Sequence, residues 1–310
     1  MSDIDLTDDR YQMSFEETSV AFLARSIKET GLMCPPLVRP TNNKCIIISG
    51  FNRIRAQLYN NETKIIVNQT PPDTSDYRCL LHAITALAFQ RPLTHAELIR
   101  CTGRLSFFLE KEQIVQKSPA IFNTELNARF VEDLITIGAL PDPALALIHL
   151  GNLTLNTAKK ISVCETGMIN IFLKIFSQIK ASSSKQLEII QYIMEIVARD
   201  AIDPTNFFNA KEIQALLFDE NTAPGIKTTL LRTYLFERRF PTIFKTHQRV
   251  QEKISALKLG GNIKFLPPEN FEGQYYGISF KAKRYDEFAA TVQTLHTALS
   301  NPALKDIFHP

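Results

Sequence analysis

Hydrophobic residues follow two different periods along the chain, and the changes of period divide it into parts. β-Branched runs flanked by Pro and Gly occur near the N-terminus, spacings of three and four fill the long middle, and alternation returns near the C-terminus. We therefore expect an α+β fold that is mostly helical, with a small N-terminal α/β domain, an all-helical middle and a C-terminal β-β-α module. The predicted domains cover residues 1–76, 77–165, 166–260 and 261–310.

The N-terminal domain is predicted to contain short strands and two helices. A first helix is expected to begin at Ser14, because Ser14 and Glu17 match a capping box and apolar residues then recur at helical spacing. The prolines around residues 37–39 favour an edge strand there, whereas the β-branched run at 44–49 favours a buried strand. The remaining predicted elements are a helix and a strand, at 51–58 and 63–67.

The middle of the chain is predicted to be helical throughout. The clearest case is the stretch 185–198, where Ser183 and Gln186 match a capping box and the apolar residues share one face. Other stretches with helical spacing are 79–89, 96–104, 128–137, 144–150 and 169–179.

The C-terminal module begins with two alternating stretches. Ile263 and Phe265 alternate with polar neighbours, and so do residues 276–282, which predicts a hairpin joined through 267–274. The helix that follows carries apolar residues on one side, at Phe288, Val292, Leu295 and Leu299. A module of this size buries little core alone. We therefore expect it to pack on the helical part or on a second copy of itself, and we expect a homodimer.

Composition is that of an ordinary globular protein, with 45% hydrophobic and 22% charged residues. The apolar runs are too short for a membrane span, and the acidic first residues do not resemble a secretory leader. Five scattered cysteines without C-x-x-C spacing argue against a disulfide framework or a zinc site, and no histidine lies at metal-ligand spacing from acids. These features predict a cytoplasmic protein without a membrane partner.

Charge is unevenly distributed although the net charge is only +3. Residues 1–30 carry a net charge of −4, and residues 221–260, the basic segment, carry a net charge of +6. A segment of that charge can attract phosphate, or it can be a solvated helical face.

A glycine turn with arginines stands where the buried strand gives way to a helix. It reads Gly-Phe-Asn-Arg-Ile-Arg-Ala and contains Gly50, Arg53 and Arg55. The free N–H groups of a helix start and nearby guanidinium groups can together hold a phosphate. The alternative is that both arginines pair with local acids.

This stretch resembles the N-terminal domain of ParB-type partition proteins, a fold also found in sulfiredoxin. The family pattern is G-L-x-x-P-x-x-V, which begins here at Gly31, followed by G-E-R-R-x-R-A, where Phe51 and Asn52 replace the acid and the first arginine. The resemblance implies that the turn binds the triphosphate of CTP. The sulfiredoxin activity needs a cysteine beside the turn, and none stands there in the sequence, so peroxiredoxin repair is not expected.

A second family element, E-N-x-Q-R-x-x-L, supplies a magnesium ligand and hydrolytic residues in the ParB family. Here Leu87 and Ala88 replace the acid and the asparagine, while Gln90 and Arg91 are retained. The nucleotide-binding residues that the resemblance implies are Gly50, Arg53, Arg55, Gln90 and Arg91. Because leucine cannot bind Mg²⁺, we expect CTP, if bound, to lack a metal site and to be hydrolysed slowly or not at all.

The resemblance extends to about residue 162 and implies a helix-turn-helix region that binds DNA. Its recognition helix would lie within 123–137, and the candidate base-contacting residues are Asn123, Thr124, Asn127 and Arg129. This helix is acidic, so we expect most DNA affinity to come from Arg238, Arg239 and Lys245 in the basic segment. The alternative is a plain packing helix.

The sequence thus favours a bacterial, nucleoid-associated DNA-binding protein of chromosome or plasmid partition or of regulation. The resemblance implies a partition ATPase as a further partner. Two alternatives remain open. One is an enzyme on the same fold, namely a nucleotide hydrolase, a nuclease or a phosphotransferase, and the other is a protein-interaction scaffold.

Overall fold

The protein is described by a computed structural model that covers residues 1–15, 19–42, 44–268 and 275–308. It divides into two compact units, residues 1–187 and 188–310. The predicted class is confirmed, because the chain is mostly helical with a small N-terminal mixed sheet and a C-terminal hairpin.

The first unit contains a four-stranded mixed sheet in the order β1-β3-β2-β4. Strand β3 pairs in parallel with β1 and antiparallel with β2, which in turn pairs in parallel with β4. The strands are β1 (Ile4–Asp5), β2 (Leu37–Pro40), β3 (Cys45–Ser49) and β4 (Asn68–Gln69). The buried strand predicted over 44–49 is confirmed as β3, whose Ile46, Ile47 and Ile48 are all buried.

Two strand predictions are wrong. Strand β2 is interior rather than at the edge, because β4 pairs with it on the side away from β3. The strand expected over 63–67 forms at Asn68–Gln69 instead. Ile65 and Val67 do pack on the sheet core, but backbone pairing starts only where the N–H of Asn68 donates to the carbonyl of Pro36 over 2.8 Å.

Helices α1 (Val20–Thr30) and α2 (Phe51–Tyr59) pack together beside this sheet. The predicted start of α1 at Ser14 is wrong, because Ser19 caps the helix by accepting a hydrogen bond from the N–H of Phe22. Glu17, the predicted capping partner of Ser14, lies outside the described residues. The helix predicted over 51–58 is confirmed as α2.

Eight further helices follow without any strand up to the end of α10, in a part of the chain that is described without gaps. They are α3 (Asp76–Ala88), α4 (His95–Leu105), α5 (Lys111–Phe122), α6 (Ala128–Gly138), α7 (Asp142–His149), α8 (Leu155–Ile161), α9 (Thr166–Gln178) and α10 (Ser183–Asp200).

The capping box predicted for α10 does not form. The side chain of Gln186 is fully buried and donates instead to the carbonyls of Asn152 and Ala181, both over 2.9 Å. Its Oε1 accepts from the N–H of Thr154 over 3.1 Å. Gln186 therefore fastens the turn before α8 to the start of α10, a long-range role that no local pattern expresses.

The second unit continues with α11 (Pro204–Phe208), α12 (Lys211–Phe218), α13 (Pro224–Arg239) and α14 (Pro241–Ala256). The C-terminal module then contains β5 (Ile263–Leu266), β6 (Gly277–Phe280), α15 (Tyr285–Ala298) and α16 (Pro302–Ile307). The predicted hairpin is confirmed, with Ile263 opposite Phe280 and Phe265 opposite Ile278. Residues 269–274 of its predicted connection lie outside the described residues.

The C-terminal module packs on the helical part, which is one of the two arrangements expected from the sequence. Its core combines Ile263 and Phe265 of the hairpin with Ala298 and Ile307 of the last helices and with Val250 of α14. Helix α16, which the sequence did not predict, closes this core. Among the described helices, none combines the length and the apolar character needed to cross a bilayer.

Candidate functional site

A cavity of about 590 Å³ opens beside the glycine turn that begins α2. We call it the Gly50 cavity, and its wall includes the end of β3, the first turn of α2, one side of α3 and residues 11–14. It brings together most of the predicted nucleotide-binding residues, namely Gly50, Arg53, Gln90 and Arg91.

Gly50 is required by the local geometry. Its φ of 91° lies in the left-handed region, and a Cβ there would lie 3.0 Å from both the Cα and the Cβ of Pro36. The turn leaves the N–H groups of Phe51 and Asn52 without an acceptor among the described residues. The start of α2 therefore offers unpaired N–H donors at the cavity.

Arg53 carries a charge that no acid in the described structure compensates. Its guanidinium donates to the backbone carbonyl of Cys34 and, over 3.4 Å, to that of Pro35. These carbonyls hold the side chain in place, but they leave its positive charge available. The sequence left open that Arg53 pairs with a local acid, but no described residue forms such a pair with it.

Arg55, which the sequence prediction grouped with Arg53, is not part of the cavity lining, but its guanidinium contacts two residues that are. It is exposed, and its guanidinium donates to Asn52 Oδ1 over 3.3 Å and to Gln12 Oε1 over 3.2 Å. Residues two positions apart on a helix do not share a face, so both arginines cannot point to the same side of α2.

Arg91 lines the cavity, but its charge is already paired. Its guanidinium forms a bidentate ion pair with Glu97, at 2.7 Å and 2.8 Å. Burial alone would raise the pKa of Glu97, but the hydrogen bonds from Arg91 and from the N–H of Thr94 lower it to about 2. Glu97 is fully buried and also completes the capping box that begins α4. Arg91 therefore has a strong structural partner that the motif did not indicate.

The side of the cavity formed by α3 is apolar. Ala83, Ala86 and Leu87 of α3 lie there, together with Leu23 of α1. Leu87 thus reaches the cavity at the position where the ParB pattern places its acid. The lining, all of it within the described residues, contains no Asp, Glu or His. Across residues 1–15, 19–42, 44–268 and 275–308, no three His, Cys, Asp or Glu side chains converge as they would around a metal ion.

Cys34 also lines the cavity. No cysteine is adjacent to the glycine turn in the sequence, but the loop before β2 brings this exposed, free cysteine next to it. Only the fold reveals this neighbour, because residues 34 and 50 belong to different elements.

Residues 10–15, which we call the strap, form the wall that sequence analysis missed. The hydroxyl of Tyr11 donates to Asp76 Oδ1 over 2.8 Å, and Arg39 contacts the same oxygen at 2.7 Å. Burial is the main cause that raises the pKa of Tyr11, and its hydrogen bond to Asp76 raises it further. The hydrogen bonds that Asp76 accepts from Tyr11 and Arg39 lower the pKa of Asp76. The strap is therefore fixed to the start of α3.

The other end of the strap lies on the helices that follow the N-terminal domain. The ring of Phe15 contacts the guanidinium of Arg100, 3.5 Å from the ring centroid, and stacks on the ring of His149, whose centroid is 5.6 Å away. Arg100 of α4 also donates to the carbonyl of Gln12 over 3.4 Å. One short segment thus contacts both the cavity and helices α4 and α7.

The candidate DNA-contacting residues lie between α5 and α6 or at the start of α6. Asn123 ends α5 with a left-handed φ of 54°, and Thr124 and Arg129 are exposed. Asn127 is exposed too, but its Oδ1 caps α6 by accepting from the N–H of Phe130 over 2.8 Å. Because that oxygen already accepts a hydrogen bond within the protein, Asn127 is a weaker candidate for base contacts.

The acidic character of α6 is largely neutralised in the fold. Glu132 lies 3.3 Å from Lys111 of α5, and Asp133 lies 2.5 Å from Lys159 of α8. Of the acids that weighed against a recognition helix, Glu125 is left exposed and without an ion pair among the described residues. The local charge therefore opposes DNA less than the sequence suggested.

Several cations of the basic segment are paired with acids of α10. Arg239 lies 2.5 Å from Glu195, Arg232 lies 2.7 Å from Glu188, and Arg238 lies 3.7 Å from Asp200. Lys245 and Arg249 of α14 are exposed and form no ion pair with any described residue. Lys245 thus remains the most available of the predicted phosphate-contacting residues here.

Residues 1–83 match the ParB N-terminal domain family. The match contains the whole sheet, α1, α2 and the first part of α3, and it confirms the resemblance for this part of the chain. No protein of curated function matched the chain.

Two solved structures of C-terminally truncated chromosome-partitioning protein ParB from Caulobacter crescentus are similar to the chain. The one complexed to the centromeric parS site is 21% identical, covers 56% of this chain and 88% of that chain, and has a TM-score of 0.33. The one complexed with CTP-γ-S is 23% identical, covers 53% and 89%, and has a TM-score of 0.25. TM-scores this low carry no functional conclusion for this chain.

Proposed function

We propose that the chain is a ParB-like DNA-binding protein of chromosome or plasmid partition, or of regulation, whose N-terminal domain binds a phosphate-bearing ligand. The observation that carries this proposal is the Gly50 cavity, where unpaired N–H groups and the uncompensated charge of Arg53 meet inside the ParB N-terminal domain. CTP is the ligand that the family resemblance implies. A bacterial nucleoid would be its location and a partition ATPase a further partner.

The cavity favours a ligand bound without a protein-held magnesium ion. Mg²⁺ binds through hard oxygen ligands, usually carboxylates and phosphates. The lining contains no carboxylate, and Leu87 stands where the family pattern has its acid. Phosphate contacts would therefore come from Arg53 and the start of α2, with Gln90 as a further polar group.

DNA would contact the region between α5 and α6 and the free cations of α14. Asn123, Thr124 and Arg129 are exposed and could reach base edges, while Asn127 is partly committed to capping. Phosphate attraction would come chiefly from Lys245, since Arg238 and Arg239 already have acidic partners.

Substitution of Arg53 tests the ligand site directly. We expect Arg53→Ala to weaken CTP binding about tenfold or more, the scale of one lost charge-assisted hydrogen bond, in calorimetric titrations with EDTA present. Arg78→Ala is the matched control, because Arg78 is exposed on α3 and is not part of the lining. Equal affinity in the wild type and the Arg53→Ala variant would place the site elsewhere.

Self-association is a second proposal, supported by an apolar groove on the C-terminal module. The groove, of about 290 Å³, is lined by Ile278, Val292 and Leu299, which are 51%, 43% and 65% exposed. A second copy of the module would cover these residues and form a homodimer. We expect Leu299→Asp to shift the chain from dimer to monomer in light scattering, whereas an unchanged mass would remove the groove from the interface.

An enzymatic role has less support in the cavity. Hydrolysis of a nucleotide needs a base or a metal to activate water, and the described lining supplies neither a carboxylate nor an imidazole. Magnesium-dependent release of phosphate from CTP by the purified chain would favour the nucleotide-hydrolase alternative over the proposal.

A further inference from the structure

Positive charge is scarce in the Gly50 cavity. Arg53 and Arg91 are the charged side chains of its described lining. The bidentate pair with the buried Glu97 neutralises Arg91, so that Arg53 contributes about one uncompensated unit. The start of α2 adds about half a unit through its N–H groups.

This charge suits a single phosphate group better than three. A phosphomonoester carries about −1.5 to −2 at neutral pH, close to the charge that the cavity can compensate. Each additional phosphoryl group brings more negative charge, and the described lining holds neither a second free guanidinium nor a carboxylate for a metal to balance it. The exposed guanidinium of Arg55 lies outside the lining, where it donates to Asn52 and Gln12. Uncompensated charge in a partly desolvated cavity is costly.

The opposite wall indicates what the rest of the ligand is. Leu23, Ala83 and Leu87 offer apolar surface to a planar or hydrophobic body, and Gln90 adds a polar group at the rim. The volume of about 590 Å³ is within the range of sites for small organic ligands. A ligand with one anionic end and a ring at the other matches both walls.

We propose that the Gly50 cavity selects nucleoside monophosphates, or ligands of similar charge and shape, over nucleoside triphosphates. This inference rests on the proposed phosphate site and adds the number of phosphate groups to it. Arg53 and the N–H groups of Phe51 and Asn52 bind the single phosphate. Leu87 sets the preference, because an apolar side chain there leaves additional phosphates and their metal without ligands.

Calorimetric titration of the full chain with CMP and with CTP, each in EDTA and in Mg²⁺, tests the preference. We expect CMP to bind about tenfold or more tightly than CTP in EDTA, and CTP in Mg²⁺ to remain weaker than CMP. Tighter binding of CTP in Mg²⁺ than of CMP would overturn the preference and leave the phosphate site standing. Absence of binding by both nucleotides would overturn the phosphate site and the preference with it.

Two variants separate the roles of the walls. Arg53→Gln should weaken both nucleotides at least about tenfold, while the Arg78→Ala control should bind like the wild type. Leu87→Glu should weaken CMP and make CTP binding dependent on Mg²⁺, because it supplies an oxygen ligand to the metal. A Leu87→Glu variant that stays folded by circular dichroism and keeps the wild-type ratio of the two affinities would contradict the role given to Leu87.

Discussion

At the scale of single residues, two arginines that the family motifs treat alike differ in whether an acid already pairs with their charge. Arg53 and Arg91 both line the Gly50 cavity, but backbone carbonyls hold the first whereas a buried carboxylate neutralises the second. Arg91 and Glu97 therefore stabilise the junction between α3 and α4, whereas Arg53 has no acidic partner among the described residues.

The Arg91–Glu97 pair predicts a pH dependence of stability. The folded-state pKa of Glu97, about 2, lies below the ordinary value of 4.5, so the pair stabilises the fold fully above pH 4.5. This stabilisation, on the order of 3 kcal/mol, is lost as the pH falls from about 4.5 to about 2. We expect urea unfolding of Glu97→Gln to show a flatter loss of stability over that pH range than the wild type. Glu112→Gln, at an exposed site, should keep the wild-type slope, and parallel curves for Glu97→Gln and wild type would refute the assignment.

At the scale of elements, the sequence predicts those helices and strands that are long enough to show a hydrophobic period. The long helices of the middle and the hairpin strands were found because ten or more residues with helical spacing, or four with alternation, define a buried face. Strands β1 and β4 contain two residues each, too few to show a period. The apolar residues at 63–67 indicated burial correctly but not backbone pairing. Motifs predicted Gly50, Arg53, Gln90 and Arg91 as a nucleotide site, and the fold brings these four residues to one cavity.

The strap was missed for a related reason. Its contacts join residues that are far apart in the sequence, such as Gln12 with Arg100 and Tyr11 with Asp76. No local spacing encodes such contacts. Arg55 is a different case, because its spacing of two residues from Arg53 on the predicted helix already places the two arginines on different sides of α2.

Phe15 gives a test of the strap. Replacing it by Leu removes the contact between its ring and Arg100, an interaction of about 1–2 kcal/mol when partly desolvated, and keeps some apolar bulk. We expect faster hydrogen exchange over residues 10–15 and weaker CTP binding, because the strap forms one wall of the cavity. Phe107→Leu, at a site that is 83% exposed, is the control. Unchanged exchange in Phe15→Leu would show that other contacts hold the strap.

At the scale of the whole molecule, the proposed DNA binding rests on the cations of the basic segment that have no acidic partner among the described residues. Pairing within the second unit leaves Lys245 and Arg249 as exposed cations of α14. Phosphate contacts dominate DNA affinity and make it depend on salt. The proposed DNA binding should therefore depend on these free cations more than on the paired arginines.

The salt dependence of DNA binding by the full chain tests the central claim most directly. Fluorescence anisotropy with a labelled duplex of random sequence should show binding at low salt that falls linearly with the logarithm of salt concentration. Changing Lys245 and Arg249 together to Gln should flatten the slope by about two units, and changing the paired Arg238 and Arg239 should flatten it less. Absence of binding at low salt, or binding insensitive to salt, would contradict the account and favour the interaction-scaffold alternative.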